Sequence, residues 1–225
     1  MAKLRKVGQR RERRINRLRG AMKRTPTTEN GKVRQLRPPR RQPNRATRTR
    51  EHLTPAEVEK LITSAGTVGR YGHRDSTLLL LAYRHGLRVS ELVELQWSQV
   101  DLQTATLHVN RVKNGRPAAH PLTGDELRAL RKLRSHAPRE AYIFLTERGG
   151  PLTTSTVRKL TARAGQVAGL PFPVHPHMLR HATGFYLANR GADTRLIQDY
   201  LGHRNIQHTV RYTALVPSRF KGLWS

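Results

Sequence analysis

The stretch that decides the fold class is Thr106-Leu107-His108-Val109-Asn110, then Arg111-Val112-Lys113-Asn114-Gly115, then the return Arg116-Pro117-Ala118-Ala119-His120-Pro121. Leu107 and Val109 alternate with Thr106, His108 and Asn110, which is the period of a half-buried strand. Asn114-Gly115 supplies the two-residue turn whose backbone best matches the twist of paired strands. Pro117 and Pro121 lack backbone donors and keep the return strand at an edge. Helical patterns surround this hairpin on both sides. The expected fold class is therefore α+β, mainly α, with one small antiparallel sheet.

Upstream, Leu53-Thr54-Pro55-Ala56-Glu57-Val58 opens a helix. Thr54 can be the N-cap, Glu57 completes a capping box, Pro55 suits the first helical position, and Leu53 with Val58 can form a hydrophobic staple. Val58, Leu61, Ile62 and Ala65 follow at the spacing of one buried helical face. A second helix is expected over Asp75–His85, ended by Gly86 in the left-handed conformation, and a third over Val89–Gln96. Downstream of the hairpin, Thr123-x-x-Glu126 opens a helix that runs to about His136. Tyr142–Leu145 reads as a short strand. Further helices are expected over 154–168, 176–190 and 193–201, each stopped by a glycine, with a last one holding Thr209–Ala214.

The chain has 225 residues, with 43 Lys+Arg against 15 Asp+Glu, a formal charge of +28 that points to a polyanionic partner, most often nucleic acid. There is no cysteine, which excludes disulfides, thiol nucleophiles and thiolate metal sites. The longest uninterrupted apolar run, Leu78–Tyr83, is far shorter than the roughly twenty residues of a membrane span. A soluble, cytoplasmic protein with no membrane partner is expected. Residues 1–50 carry 19 Lys+Arg and only Glu12 and Glu29 as acids, a net charge of +17. With so few apolar residues they read as a basic tail or linker, either disordered or forming a basic helix that orders on phosphates. Residues 51–225 then form the folded domain.

Within that domain several polar residues stand out, each weak alone. Arg88 follows the Gly86 stop and precedes Glu91, where a plain helix-start ion pair is the bland reading. Lys113 sits beside the hairpin turn, where a solvated lysine is the default. His177 and Arg180 share a helix face at i, i+3. His203 follows Gly202, and Tyr212 lies between Arg211 and Thr213. As a set they describe one chemical task. Two arginines clamp a phosphodiester bidentately and offset the charge that develops in phosphoryl transfer. A lysine or histidine protonates a departing oxygen. A tyrosine hydroxyl attacks phosphorus, given help against its pKa near 10. A metal site is not expected. His175, His177, His181, His203 and His208 lack a His-Glu-x-x-His pattern, and Arg180 among them would repel a cation. No glycine-rich phosphate-binding loop with its lysine is present, so nucleoside triphosphate use has no support; no cofactor and no small-molecule substrate are expected.

The series Gly86-Leu87-Arg88-Val89-Ser90-Glu91-Leu92, Lys113, His175-Pro176-His177-Met178-Leu179-Arg180-His181, Leu201-Gly202-His203 and Thr209-Val210-Arg211-Tyr212-Thr213 resembles the tyrosine recombinase (phage integrase) family. Within that family, Gly191–Ile206 looks most like the short recombinases that invert a promoter segment in fimbrial phase variation. The resemblance implies a site-specific DNA recombinase with the tyrosine-recombinase catalytic fold, working on double-stranded DNA as a homotetramer on paired sites, with no cofactor. It implies Tyr212 as the nucleophile forming a 3′-phosphotyrosine, Arg88 and Arg180 as phosphate clamps, and Lys113 as the general acid. It further implies His177 as general base, His203 as a donor to a non-bridging oxygen, and Glu91 as a buttress for Arg88. Two other functions stay open at this point: a type IB topoisomerase-like enzyme, and a catalytically idle DNA-binding architectural protein.

Overall fold

The computed structural model describes residues 51–111, 117–136 and 139–214. The expectations for residues 1–50, for the Asn114-Gly115 turn and for Lys113 lie outside them. The described chain is mainly helical with one three-stranded antiparallel sheet, as the hairpin pattern required.

The first helix, α1 (Pro55–Thr67), starts as its sequence dictates. The Glu57 amide donates to the Thr54 hydroxyl at 3.3 Å, and the Thr54 amide donates back to the Glu57 carboxylate at 2.8 Å. Leu53 and Val58 are both buried, and Leu61 and Ala65 carry the same face inward. Each fully buried leucine contributes about 2 kcal/mol relative to an exposed one. Helix α2 (Gly72–Arg84) begins three residues before its expected start and packs on α1, and its Leu78, Leu79 and Leu81 are buried in the core. Helix α3 is only Val89–Val93, shorter than expected, because Leu95 leaves the helical path to enter the core and a 3₁₀ turn follows at Trp97–Gln99.

Strands β1 (Val100–Asp101), β2 (Thr106–Val109) and β3 (Ala118–Pro121) make the sheet, in that order. Thr106 pairs with Pro121, Leu107 with His120 and Val109 with Ala118, so β3 is indeed an edge. Leu107, Val109 and His120 are buried on the inner face. Four helices follow: α4 (Gly124–His136), α5 (Thr154–Val167), α6 (Pro176–Asn189) and α7 (Thr194–Leu201), and then α8 (Gln207–Thr213). Tyr142–Leu145 is not a strand. Its backbone pairs with neighbouring segments through isolated bridges, Gln96 with Tyr142 and Leu145 with Pro151, rather than a continuous ladder. Ile143 and Phe144 are apolar because they fill the core. Among the described residues no helix is long and apolar enough to cross a membrane.

Two architectural features position the site. Helix α6 lies against α2 and α8, and the C-terminal ends of α2 and α7 meet over it. Gly86, just past α2, has φ +56°, and a Cβ there would come 2.4 Å from a Leu201 methyl. Only glycine satisfies both the left-handed backbone and that approach.

Candidate active site

Arg88 is the N-cap residue of α3. Its amide donates to Glu91 Oε2 at 2.9 Å, and its Nη1 donates to Glu91 Oε1 at 2.6 Å. The bland helix-start pairing is therefore present, and it aims the guanidinium rather than consuming it: the Arg88 side chain remains 28% exposed. Burial would raise the Glu91 carboxyl, but the Arg88 amide, Arg111 and the Arg88 guanidinium outweigh it and hold it below the usual carboxylate range. Arg111, which follows β2, also donates to Glu91, at 3.0 Å.

Arg180 projects from the first half of α6 and is fully buried. Its two terminal nitrogens donate to Gly86 O at 2.5 Å and to Leu201 O at 2.6 Å. Arg180 therefore joins the corner carrying Arg88 to the corner carrying His203. No carboxylate lies within ion-pair distance of Arg180 among the described residues. Desolvation, then the charges of Arg88 and Arg111, bring its pKa down to about 9. It is still cationic at neutral pH, and a phosphate would supply the anion it lacks.

His203 follows the left-handed Gly202 cap of α7, and its Nδ1 lies 2.9 Å from the Thr209 hydroxyl. If the hydroxyl donates, the ring proton sits on Nε2, the tautomer that can donate to an oxygen. Burial first, then Arg180 and Arg88, hold His203 at about 3. Beside Arg88 and His203 opens a cleft of about 630 Å³, also lined by Arg195, Gln198, Arg204 and Asn205. None of its described lining residues is acidic.

Tyr212, on α8, has only 1% of its surface exposed. Its ring lies where Gly184 of α6 leaves space, since a Cβ at 184 would come 2.6–2.7 Å from three ring carbons. Phe185 packs edge-on at 5.2 Å between centroids, and His203 lies parallel at 6.2 Å. The hydroxyl is 2.9 Å from His181 Nδ1. Burial pushes the phenol pKa up, against the pull of Arg180 and Arg211. His181 is held down at about 2 by desolvation and then by His177, so it is neutral and can accept a hydrogen bond from the phenol. His177 stacks edge-on to His181 at 4.4 Å. It is shifted in the same direction by loss of solvation and then Arg180, though its residue lies on the exposed side, where water offsets much of the effect.

The structure thus brings Arg88, Glu91, His177, Arg180, His203 and Tyr212 to one place, while Lys113 lies outside the described residues. It adds two groups to which the sequence assigns no such role, His181 on the tyrosine hydroxyl and Arg111 on Glu91. In the sequence His181 stands out only as a candidate metal ligand. Among the described residues, no group of three or more His, Asp or Glu side chains is arranged to hold a metal ion.

The phage integrase family matches residues 51–219. The chain belongs to that family. The chain is 48% identical over 181 residues to the type 1 fimbriae regulatory protein FimE of Escherichia coli K12, covering 78% of this chain and 91% of that protein. Among solved structures it resembles the XerA recombinase, with a TM-score of 0.66 at 28% identity, over 77% of this chain and 62% of XerA. It also resembles a lambda integrase dimer bound to a COC′ core site, with a TM-score of 0.59 at 26% identity, over 75% of this chain and 51% of that one. The enzyme class follows from the family: this is a tyrosine-type site-specific DNA recombinase.

Proposed function

We propose that this recombinase is a DNA invertase and that Tyr212 is its nucleophile. The observation that carries the reading is the meeting of Arg88, Arg180 and His203 at the corner where α2 and α7 join, with the Tyr212 ring stacked against His203. The scissile phosphate enters the basic cleft. Arg88 and Arg180 bind its non-bridging oxygens, and His203 donates to one of them as charge grows in the transition state. Tyr212 leaves His181, and its oxygen attacks phosphorus as the bond to O5′ breaks. The phenol proton passes to His177 as general base, and Lys113 protonates the departing O5′. The product is a 3′-phosphotyrosine and a free 5′-hydroxyl. A 5′-hydroxyl attacks in the reverse sense to rejoin the strand. The phosphotyrosyl bond keeps the energy of the phosphodiester, so the cycle needs no nucleotide.

The resemblance of Gly191–Ile206 to recombinases that invert a promoter segment, together with the likeness to the fimbriae regulatory protein FimE over 91% of that protein, supports inversion of a DNA segment as the outcome. The exchange needs four active sites, so the working form is a homotetramer on two DNA sites in the cytoplasm. Residues 1–50, with their net +17, form a basic tail that adds sequence-independent phosphate contacts. The test is to sequence DNA covalently trapped on the protein in its own cells. The reading expects a small number of recurring sites, paired in inverted orientation. Scattered sites, or relaxation of any plasmid regardless of sequence, would contradict it and favour a topoisomerase.

A further inference from the structure

Arg111 touches nothing in the chemistry above, yet its side chain is fully buried. A buried guanidinium is costly unless it is closely paired, and this one is shared among three segments. Nη1 donates to Glu91 Oε2 at 3.0 Å, while Nη2 donates to His85 O at 3.3 Å and to Tyr200 O. His85 caps α2 and Tyr200 lies in the last turn of α7, so the cation sits against two helix C-termini, where the backbone dipoles favour it. Arg180 makes the parallel pair of bonds one residue further along each segment, to Gly86 O and Leu201 O. Two arginines therefore staple the same two corners through successive carbonyls.

Two further contacts turn this staple toward the site. Glu91 is held from both sides, with Oε1 on the Arg88 guanidinium and Oε2 shared by the Arg88 amide and Arg111. Arg111 thereby fixes the plane of the carboxylate that aims Arg88. On the α7 side, a Cβ at Gly202 would come 2.7 Å from Arg111 Cγ and 2.8 Å from its Nε. The Gly202 backbone rests on the arginine stem, and His203 is the next residue.

We propose that Arg111 is a positioning residue of the catalytic centre. It fixes Arg88 through Glu91 and His203 through Tyr200 O and Gly202, and it does not contact DNA. The proposal rests on the recombinase reading above. Lysine at this position keeps the charge but, as a point donor, cannot span a carboxylate and two separate carbonyls as the planar fork does.

The test uses the full chain as R111K, R111M, E91Q and E91Q/R111M. One readout needs no DNA: nitrogen-15 relaxation of the Arg88 side-chain Nε–H. The other is the single-turnover rate of covalent trapping on a nicked suicide duplex built from a site recovered with the wild-type enzyme. R111M should loosen Arg88 and slow trapping by about tenfold or more, with DNA affinity held and R111K recovering part of the rate. In the E91Q background the same substitution should cost clearly less than in wild type, because the route through the carboxylate is already lost and only the route through Tyr200 O and Gly202 remains. Should R111M fail to fold, R111K carries the same comparison. An ordered Arg88 in the variant, or equal losses with and without Glu91, would overturn the proposal. If wild type traps no duplex, the recombinase reading fails, and the Arg88 relaxation alone decides on Arg111.

Discussion

At the scale of single residues, the proposed nucleophile is stored rather than presented. Tyr212 is buried, its phenol is raised above its ordinary range, and its hydroxyl is bound to a neutral His181. Gly184 makes that storage possible, because any Cβ there would enter the tyrosine ring. Gly184→Ala should therefore expel the ring, at a cost of about 1–3 kcal/mol in stability. The Tyr212 phenol, followed by carbon-13 NMR of labelled tyrosine, should then titrate closer to its ordinary value. An unchanged titration would mean that the ring was never confined by α6. Arg88, Arg180, His203 and Tyr212 are legible in the sequence because reactive residue types recur there in a known order. Arg111 is not, because an arginine at the end of a strand looks like a solvated surface residue. His181 escapes because its contact with Tyr212 crosses 31 residues, a relation no local period records.

At the scale of elements, what is legible is whatever the backbone needs at its ends. Thr54 with Glu57, and the glycine stop after α2, are local requirements, and each is readable from three or four residues. Asp193 caps α7 by accepting from the Arg195 and Leu196 amides at 2.7 and 2.9 Å. Asp193→Ala should cost about 1 kcal/mol in urea unfolding, whereas no change would show that α7 is held by packing alone. Gly86→Ala is the harsher change at this scale. It combines a left-handed backbone with a clash on Leu201 and should cost about 2–4 kcal/mol while displacing Arg88. A variant as stable as wild type would contradict the tight corner described here. The segment Tyr142–Leu145 has the composition of a strand without being one, because Ile143 and Phe144 are core residues in a stretch paired only through isolated bridges. Burial alone does not distinguish that from a ladder. Strand β1, two residues long, is too short to carry any period.

At the scale of the whole molecule, charge and burial set the behaviour. With 43 Lys+Arg against 15 Asp+Glu, DNA affinity should fall steeply with salt. Removing residues 1–50 should weaken binding and flatten the salt slope, by about 0.9 for each phosphate the tail neutralises; an unchanged slope would mean the net +17 there does not reach DNA. Folding should be sensitive to acid well above the carboxylate range. His181 and His120 are buried with pKa values held down at about 2 and about 3, so the unfolded chain binds protons there first. Their contribution is complete above the ordinary histidine pKa and is lost as pH falls below it, at about 1.4 kcal/mol per unit for each ring. Urea unfolding at pH 7.5 and pH 5.5 should show the drop, and equal stabilities would place those rings in water. The chemistry proposed for Tyr212 is decided by which atom joins protein to DNA. Trapped complexes digested with nuclease and trypsin should yield the peptide Tyr212–Arg219 carrying a nucleotide 3′-phosphate on the tyrosine oxygen. A 5′-linked nucleotide, an adduct on another residue, or no adduct at all would contradict it.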